Sequence, residues 1–332
     1  MADGETGMSR RDVMGGAAVG IAAAGISSEA GAQATTGTAA PLADPTTKYP
    51  RPPFSTGMQP FPGVAGKMTP RPDHGEFSYK GSGRLQGRKA LITGGDSGMG
   101  RAAAIAYARE GADVAISYLP AEEPDAKEVA DLIRRAGRKA VLLPGDIRDE
   151  KWCRTMVDRA VKELGGLDIL VNNAGRQQQR QSLAELTSDD FDATMKTNIY
   201  AMFWITQAAL PHLPAGATII QTTSEQAYDP SENLVDYAMT KAAMMNFTKS
   251  LAKQLGPKGI RVNGVAPGPI WTPLQVAGGA TAEKLKQFGG DTSLGRPGQP
   301  VELASIYVQL AAADASFATG QVYGAAGGTG QP

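Results

Sequence analysis

The residues of this chain that could do chemistry begin with Tyr237 and Lys241, which stand four positions apart. On a helix, residues at this spacing lie one turn apart on the same face. Ser224 stands thirteen residues before Tyr237, directly after a strand-like run at residues 217–222. A phenol, an ammonium and a hydroxyl in one place can add or remove a proton at a carbinol oxygen. The spacing predicts a proton-transfer site, although a solvated helix face can carry the same tyrosine–lysine pair.

A glycine-rich turn at residues 93–100 separates the first apolar run from a helical pattern. Glycines allow a tight turn and let the backbone approach a pyrophosphate, whose charge faces the free N–H groups at the helix start. No Gly-Lys-Ser/Thr follows, which excludes the phosphate-binding loop of a P-loop NTPase. A plain strand–helix turn would contain similar residues, but the position after the first strand favours a dinucleotide site. The predicted contacts are Gly94, Ser97, Gly98, Met99 and Gly100.

Further turns of the same kind follow later apolar runs. Asp146, after the third run, could accept a hydrogen bond from an adenine amino group, and residues 267–272, after the sixth run, are expected near a nicotinamide. Each segment alone could be an ordinary turn. Four of them at strand ends, at residues 93–100, 145–147, 172–175 and 267–272, indicate one shared ligand. The residues expected at this ligand are Tyr118, Asp146, Ile147, Asn173, Ala174, Gly175, Pro267, Gly268, Ile270 and Thr272, together with Tyr237 and Lys241.

Apolar runs of strand length alternate with amphipathic helical windows from Lys89 onward. The apolar runs lie at residues 90–92, 113–117, 139–143, 167–171, 217–222, 260–265 and 321–324. The helical windows lie at residues 101–110, 126–136, 151–164, 191–213, 237–255, 282–288 and 300–312. This alternation is typical of α/β proteins. It predicts a Rossmann-type, doubly wound, seven-stranded parallel sheet with helices on both faces.

Residues 1–34 resemble a bacterial twin-arginine export signal. Arg10 and Arg11 precede an uncharged run rich in Gly and Ala, and Ala32-Gln33-Ala34 matches a cleavage site. The run is too short and too weakly apolar to span a membrane, so we expect no stable membrane anchoring. A disordered tail with a chance arginine pair would look similar. We therefore expect a periplasmic protein, with the cytoplasm as the alternative.

Residues 35–82 are rich in proline, which favours extended or turn backbone over helix. Several aromatic residues favour an arm that packs on a surface, either of the domain or of a neighbouring subunit, over a free linker. These are Tyr49, Phe54, Phe61, Phe77 and Tyr79. Residues 83–332 then form the predicted dinucleotide-binding catalytic domain. Within it, residues 272–295 have the Gly and Thr content of a mobile lid over the substrate.

The composition narrows the functional classes. The 332 residues include 33 basic and 33 acidic side chains. No dense run of Lys or Arg occurs, so we expect no nucleic-acid partner. Cys153 is the only cysteine, and His74 and His212 are the only histidines. These residues rule out an intrachain disulfide and give little material for a metal site, so no metal is predicted.

Taken together, these motifs resemble the short-chain dehydrogenase/reductase family over roughly residues 82–332. The resemblance rests on the Thr-Gly-x3-Gly-x-Gly turn, Asn172-Asn173-Ala174-Gly175, Ser224 and the Tyr-x3-Lys pair. Three phrases are similar to the bacterial glucose/ribitol dehydrogenase-like branch, which includes general stress proteins: Pro70-Arg71-Pro72-Asp73-His74-Gly75-Glu76, Ser117-Tyr118-Leu119-Pro120 and Gly268-Pro269-Ile270-Trp271-Thr272-Pro273.

The resemblance implies a role for each catalytic candidate. Tyr237 would be the acid/base, Lys241 its helper, Ser224 the group that orients the substrate oxygen, and Asn198 the holder of a water in the proton relay. A free tyrosine has a pKa of about 10, and a nearby ammonium and a positive nicotinamide ring would lower it. Relatives are often tetramers, so the resemblance also implies a homotetramer, with residues 242–247 suited to an interface or to the core.

The expected reaction is hydride transfer between NADP or NAD and a small alcohol, sugar, polyol or carbonyl compound. An acid that selects NAD often ends the second strand, where this chain has the neutral Tyr118. NADP is therefore favoured, although no arginine stands beside Tyr118. The alternative is a nucleotide-binding stress or redox-sensing protein without turnover. The residues do not name the substrate.

Overall fold

Seven parallel strands form a single sheet in the order β3-β2-β1-β4-β5-β6-β7. The computed structural model describes residue 1, residues 42–55 and residues 57–330, so the predicted export signal falls, apart from Met1, outside the described residues. The strands are β1 (Lys89–Thr93), β2 (Asp113–Tyr118), β3 (Ala140–Pro144), β4 (Ile169–Asn172), β5 (Thr218–Thr222), β6 (Arg261–Pro267) and β7 (Val322–Ala325). The predicted doubly wound, seven-stranded parallel sheet is confirmed.

Helices follow the strands in the predicted alternation. They are α1 (Gly98–Arg109), α2 (Glu123–Arg135), α3 (Glu150–Leu164), α4 (Ser188–Met195), α5 (Ala201–Ala209), α6 (Val235–Leu255), α7 (Pro273–Ala277), α8 (Ala282–Lys286) and α9 (Pro300–Ala311). The single helix predicted at residues 191–213 is instead two helices joined by a π-helical turn, Lys196–Tyr200. Of the helices in the described residues, none combines the length and the apolar character needed to cross a membrane.

Helices cover both faces of the sheet. The side chains of α1, α2 and α9 pack on one face in a cluster that includes Ile92, Tyr107 and Tyr307. On the other face, α3, α5 and α6 pack around Leu91 and Ile219. Because neither face meets water, β4 and β5 are buried along their whole length. This explains why the strands read as continuous apolar runs.

The chain order of the strands diverges from the neighbouring β1 and β4, running to β3 on one side and to β7 on the other, and the loops after β1 and β4 meet at the carboxyl edge of the sheet. The Asn173 side chain donates hydrogen bonds to the carbonyl oxygens of Thr93 and Gly94, both at 3.1 Å. The hydroxyl of Thr93 in turn accepts from the backbone N–H of Asn173 at 2.9 Å. In doubly wound sheets this divergence opens a crevice for ligands. The asparagine therefore fixes the position of the crevice.

The proline-rich arm, described from residue 43, packs on the domain. The Trp271 indole donates a hydrogen bond to the Pro70 carbonyl at 2.8 Å, and its ring lies 4.4 Å from that of Phe54. Met68 of the arm joins the same apolar cluster, which also contains Val276 and Leu285 of the predicted lid. Phe77, by contrast, is 98% exposed. The arm and the lid thus share one small core.

Candidate active site

Tyr237 and Lys241 lie one turn apart in the first part of α6 and are both buried, with 7% and 2% exposure. The ammonium nitrogen of Lys241 lies 5.3 Å from the centre of the tyrosine ring. It donates a hydrogen bond of 2.7 Å to the carbonyl oxygen of Thr222, the last residue of β5. The helix and the strand end therefore hold the pair together beneath the carboxyl edge of the sheet.

Ser224 follows β5 and begins a short helical turn. Its hydroxyl accepts a hydrogen bond from the backbone N–H of Gln226 at 3.2 Å. It also forms a hydrogen bond with the Tyr237 side chain, an interaction that lowers the tyrosine pKa. A hydroxyl beside the phenol is placed to orient the oxygen of a third group that enters between them. The structure thus brings together the serine, tyrosine and lysine that the sequence predicts.

Asn198 lies in the π-helical turn, and its side chain is buried. Its amide accepts a hydrogen bond from the N–H of Arg176 at 2.8 Å and donates to the carbonyl of the same residue at 2.9 Å. A Cβ placed on Gly175 would lie 3.7 Å from the Lys241 ammonium and 3.8 Å from the Asn198 carbonyl oxygen. Asn198 therefore lies beside the lysine, and π-helical turns often mark such functional positions.

Burial shifts the pKa values of this pair in opposite directions. Burial raises the pKa of Tyr237 to about 12, with a hydrogen bond from Ser224 opposing the shift and the charge of Glu225 adding to it. Burial lowers the pKa of Lys241 to about 7. Both shifts favour the neutral form, because a charge inside the protein loses its hydration. The sequence predicted a lowered tyrosine pKa from the ammonium and a positive nicotinamide ring, whereas burial is the largest effect in the protein chain alone and acts in the opposite direction.

A cleft lies across the carboxyl ends of β1, β2, β3 and β4 and reaches Gly175, which neighbours the Lys241 and Asn198 side chains. Most of the residues predicted to bind a cofactor line it: Gly94, Ser97, Gly98, Met99, Tyr118, Asp146, Ile147, Asn173, Ala174, Gly175 and Thr272. Gly94 has a φ of 61°, which favours glycine. A Cβ on Gly100 would lie 2.1 Å from the Gly94 carbonyl oxygen, so no side chain fits there. The turn can therefore bring its backbone close to a ligand.

Six predicted cofactor residues do not line this cleft: Tyr237 and Lys241, which lie on α6, and Gly100, Pro267, Gly268 and Ile270. Gly100 packs beneath the turn, as its contact with Gly94 shows. Ile270 is buried in the apolar core, and Pro267 pairs with the last strand. A Cβ on Gly268 would lie 2.5 Å from the Cα atom of Ala326. Pro267 ends β6, and Gly268 and Ile270 follow it as predicted, so these three residues and Gly100 support the cleft from behind.

A family model described as Enoyl-(Acyl carrier protein) reductase matches residues 94–329. The oxidoreductase YghA of Escherichia coli is 58% identical over 287 residues, covering 86% of this chain and 98% of that protein. The glucose and ribitol dehydrogenase of Daucus carota is 42% identical over 272 residues, covering 80% of this chain and 93% of that protein. A short-chain dehydrogenase of Burkholderia cenocepacia, solved in complex with NADP, is 38% identical with a TM-score of 0.68, covering 74% of this chain and 98% of that one.

The chain belongs to the short-chain dehydrogenase/reductase family. The resemblance seen in the sequence is confirmed, and the protein is an NAD(P)-dependent oxidoreductase. In this family the nicotinamide dinucleotide supplies the hydride acceptor or donor. The protein's own groups bind it, orient the substrate and move the proton.

The cleft of this dehydrogenase fits a polar dinucleotide. The hydroxyl of Ser117 and one carboxyl oxygen of Asp96 are buried with no hydrogen-bond partner among the described residues, and both residues line the cleft. Buried polar atoms of this kind usually have a partner, so a polar ligand would satisfy them. The first turn of α1 adds N–H groups that no side chain caps, and these suit a pyrophosphate.

Several cleft residues of the dehydrogenase escaped the sequence prediction. Asp96 lies in the glycine-rich turn, and it lines the cleft. The sequence of the turn does not indicate which way this side chain points. Arg148 holds Asp146 through two carboxyl contacts of 2.9 and 2.6 Å, so the aspartate predicted to bind adenine already has a charged partner. Glu122 and Phe61 also line the cleft. The latter comes from the arm, for which no local pattern gave a signal.

Within the described residues of the dehydrogenase, no group of three His, Cys, Asp or Glu side chains is arranged to hold a metal ion. Asp96 and Glu122 are two of the carboxyls that line the cleft, in addition to Asp146. Burial raises the pKa of Asp96 to about 7, and burial together with the charge of Asp96 raises the pKa of Glu122. These groups are therefore partly protonated near neutral pH.

Proposed function

We propose that this dehydrogenase interconverts a secondary alcohol, in particular a sugar or polyol, and its carbonyl compound. The group of Ser224, Tyr237, Lys241 and Asn198 beside the cleft carries the proposal. In oxidation, the hydroxyl proton of the substrate passes to the Tyr237 oxygen while the carbinol carbon loses a hydride to the cofactor. In reduction, Tyr237 returns the proton. Ser224 orients the substrate oxygen, and Lys241 and Asn198 link the tyrosine to a proton relay.

Amide side chains near the lid support a substrate with several hydroxyl groups. The Gln177 side chain lies 3.4 Å from that of Gln275, and Asn233 donates to the Gln179 side chain at 3.1 Å. The backbone N–H of Gln179 bonds to the Gly278 carbonyl at 2.9 Å, which joins this loop to the lid. Amides both donate and accept hydrogen bonds, as a polyol requires. The similar carrot protein is named for glucose and ribitol.

NADP is the favoured cofactor in this proposal. The similar Burkholderia enzyme was solved with NADP. Tyr118, at the end of β2, is neutral, and its hydroxyl donates to Glu123 at 2.5 Å. The raised pKa of Asp96 keeps part of its charge away from a 2′-phosphate. NAD remains the second cofactor to assay.

The test is a substrate screen with both cofactors, followed by Tyr237→Phe. We expect turnover of at least one sugar, polyol or aldehyde, and loss of that turnover in the variant with NADPH binding retained. The phenylalanine keeps the ring and removes only the hydroxyl that carries the proton. Full activity of Tyr237→Phe would sink the mechanism. Tight NADPH binding without turnover across the panel would favour the alternative, a nucleotide-binding stress or redox-sensing protein.

We also propose that the enzyme assembles as a homotetramer and is exported to the periplasm through its twin-arginine signal. Tyr200, Phe203 and Met239 are large apolar side chains that are about half exposed on α5 and α6 and the turn before them. Such a patch suits contact with a second copy of the chain.

Export is tested by replacing Arg10 and Arg11 with lysine, which should keep the protein in the cytoplasmic fraction.

A further inference from the structure

An arm segment borders the mouth of the dinucleotide cleft. Residues 59–64, here called the strap, contribute Phe61, Pro62 and Gly63 to the cleft lining. The strap belongs to the proline-rich arm. It ends more than twenty residues before β1, the first strand of the domain. The dinucleotide-binding turns all lie after that strand. The strap is therefore a part of the cleft wall that the folding pattern of the sheet does not itself require.

Hydrogen bonds hold the strap at both ends. The backbone N–H of Gln59 bonds to the Val276 carbonyl on α7 at 2.9 Å. Directly after the strap, the N–H of Ala65 bonds to the buried carboxyl of Asp125 on α2 at 2.7 Å. The Gln59 side chain also accepts from the N–H of Val64 at 2.8 Å and donates to the carbonyl of Val64 at 3.2 Å. The strap is therefore a closed loop that joins the lid to the helix after β2.

Close packing sets the distance between the strap and the cleft walls. A Cβ on Gly63 would lie 2.8 Å from the Pro273 carbonyl oxygen and 3.2 Å from the Ala277 side chain. On the other side, the guanidinium of Arg176 lies 5.4 Å from the centre of the Phe61 ring. The Arg176 side chain also bonds to Asp190 at 3.1 Å. The strap thus contacts the lid on one side and the segment after β4 on the other.

We infer that the strap is a binding element of the dinucleotide site, in which Phe61 contacts the bound dinucleotide and slows its release. Phe61 is 48% exposed, and its loop is closed by the hydrogen bonds between Gln59 and Val64. A half-exposed aromatic ring on a closed loop at a cleft mouth gains buried area when a ligand enters, at little cost in conformational entropy. Release of the ligand past this ring requires the strap to move away from the lid. The inference rests on the proposed use of this cleft for NADP.

Two phenylalanines of the arm make a matched pair for the test. Phe61 lines the cleft, whereas Phe77 is 98% exposed and does not. We expect Phe61→Ala to raise the Kd for NADPH about tenfold, mainly through a faster dissociation rate, because loss of about half a buried phenylalanine side chain has roughly this effect. Phe77→Ala should leave both values within twofold of the parent protein. The melting temperature of the ligand-free protein should be similar for both variants.

The measurements are NADPH fluorescence titration for Kd and stopped-flow displacement by excess NADP for the dissociation rate, both on the full chain. Gly63→Ala is the second variant. Its added methyl group must push the strap away from Pro273, so it should also speed NADPH release while Phe61 is retained. It keeps the test decisive should Phe61→Ala fold poorly.

The outcomes are distinguishable. Unchanged Kd and dissociation rate in both Phe61→Ala and Gly63→Ala would overturn the inference, even though the parent protein binds NADPH. A lower melting temperature with unchanged release would show that the strap only supports the lid, and would overturn it too. A parent protein that binds neither NADPH nor NADH would overturn the assignment of the cleft itself, and with it any role of the strap in binding.

Discussion

The ammonium nitrogen of Lys241 donates a 2.7 Å hydrogen bond to the carbonyl oxygen of Thr222, and this bond ties α6 to the end of β5. The hydroxyl of Thr222 is in turn bonded to that of Tyr307 at 2.7 Å. The lysine is buried, and the Thr222 carbonyl holds its ammonium in place. The geometry of the proton-transfer group therefore depends on a hydrogen bond between the end of β5 and Lys241, which lies one turn after Tyr237 on α6.

Replacing Lys241 with methionine should lower kcat/KM by about a hundredfold or more at pH 7, because removal of a group in a proton-transfer site typically costs this much. Methionine fills a similar volume in the buried site but donates no hydrogen bond to Thr222. Steady-state kinetics with the best substrate of the screen provides the measurement. The control is Lys249→Met, an exposed lysine farther along the same helix. Activity of Lys241→Met within twofold of the parent would contradict the relay role.

The rate of alcohol oxidation should rise with pH between 7 and 9. Oxidation needs the Tyr237 oxygen without its proton, and burial raises the pKa of this phenol to about 12. Below that pKa, the fraction of phenolate increases about tenfold for each pH unit. Carbonyl reduction needs the protonated phenol, so its kcat/KM should stay nearly constant over the same range. Oxidation that slows as pH rises would refute this assignment of the base.

Ser224→Ala should shift the pH profile of oxidation to higher pH. The hydrogen bond from Ser224 lowers the tyrosine pKa against the effect of burial, and alanine removes that bond. The variant should therefore need a more alkaline solution to reach the same fraction of its maximal rate. If parent and variant reach the same fraction of their maximal rates at the same pH, the serine acts on the substrate alone.

Local patterns predicted the sheet and much of the cleft. Gly94 and Asn173 follow strands whose apolar runs are clear in the sequence, and the turn after a buried parallel strand lies at one edge of the sheet in every such fold. Their approach was therefore predictable without coordinates. The same reasoning does not tell whether Gly268 and Ile270 contact the ligand, because a position after a strand does not say whether the backbone faces the cleft or the core.

Tertiary packing decided what the sequence did not predict. Phe61 lies in a proline-rich segment without periodicity, and its place at the cleft depends on bonds to Val276 and Asp125, far along the chain. The raised pKa of Tyr237 likewise comes from burial, which a four-residue spacing does not reveal. The spacing predicts which groups meet. Their charges depend on the whole fold around them.

The preference for NADP over NAD should weaken as pH rises from 7 to 9. Burial raises the pKa of Asp96 to about 7, so its carboxyl loses the remaining proton over this range and adds negative charge at the cleft. We expect the ratio of Kd for NADPH to Kd for NADH to increase about fivefold, which corresponds to about 1 kcal/mol. Asp96→Asn should flatten the dependence, whereas Asp131→Asn, an exposed aspartate on α2, should not. Fluorescence titration with the reduced cofactors at each pH provides the ratio.

Phe203→Glu should break the proposed tetramer into smaller species. Phe203 is 46% exposed beside other apolar side chains of α5 and α6, and a carboxylate there would lose its hydration when a second copy covers the patch. Light scattering after size exclusion should give about four times the 34.5 kDa chain mass for the parent and a lower multiple for the variant. Phe317→Glu is the control, because Phe317 is also exposed but lies outside this patch. A parent protein that is already monomeric, or a variant of unchanged mass, would show that α5 and α6 do not form the subunit interface.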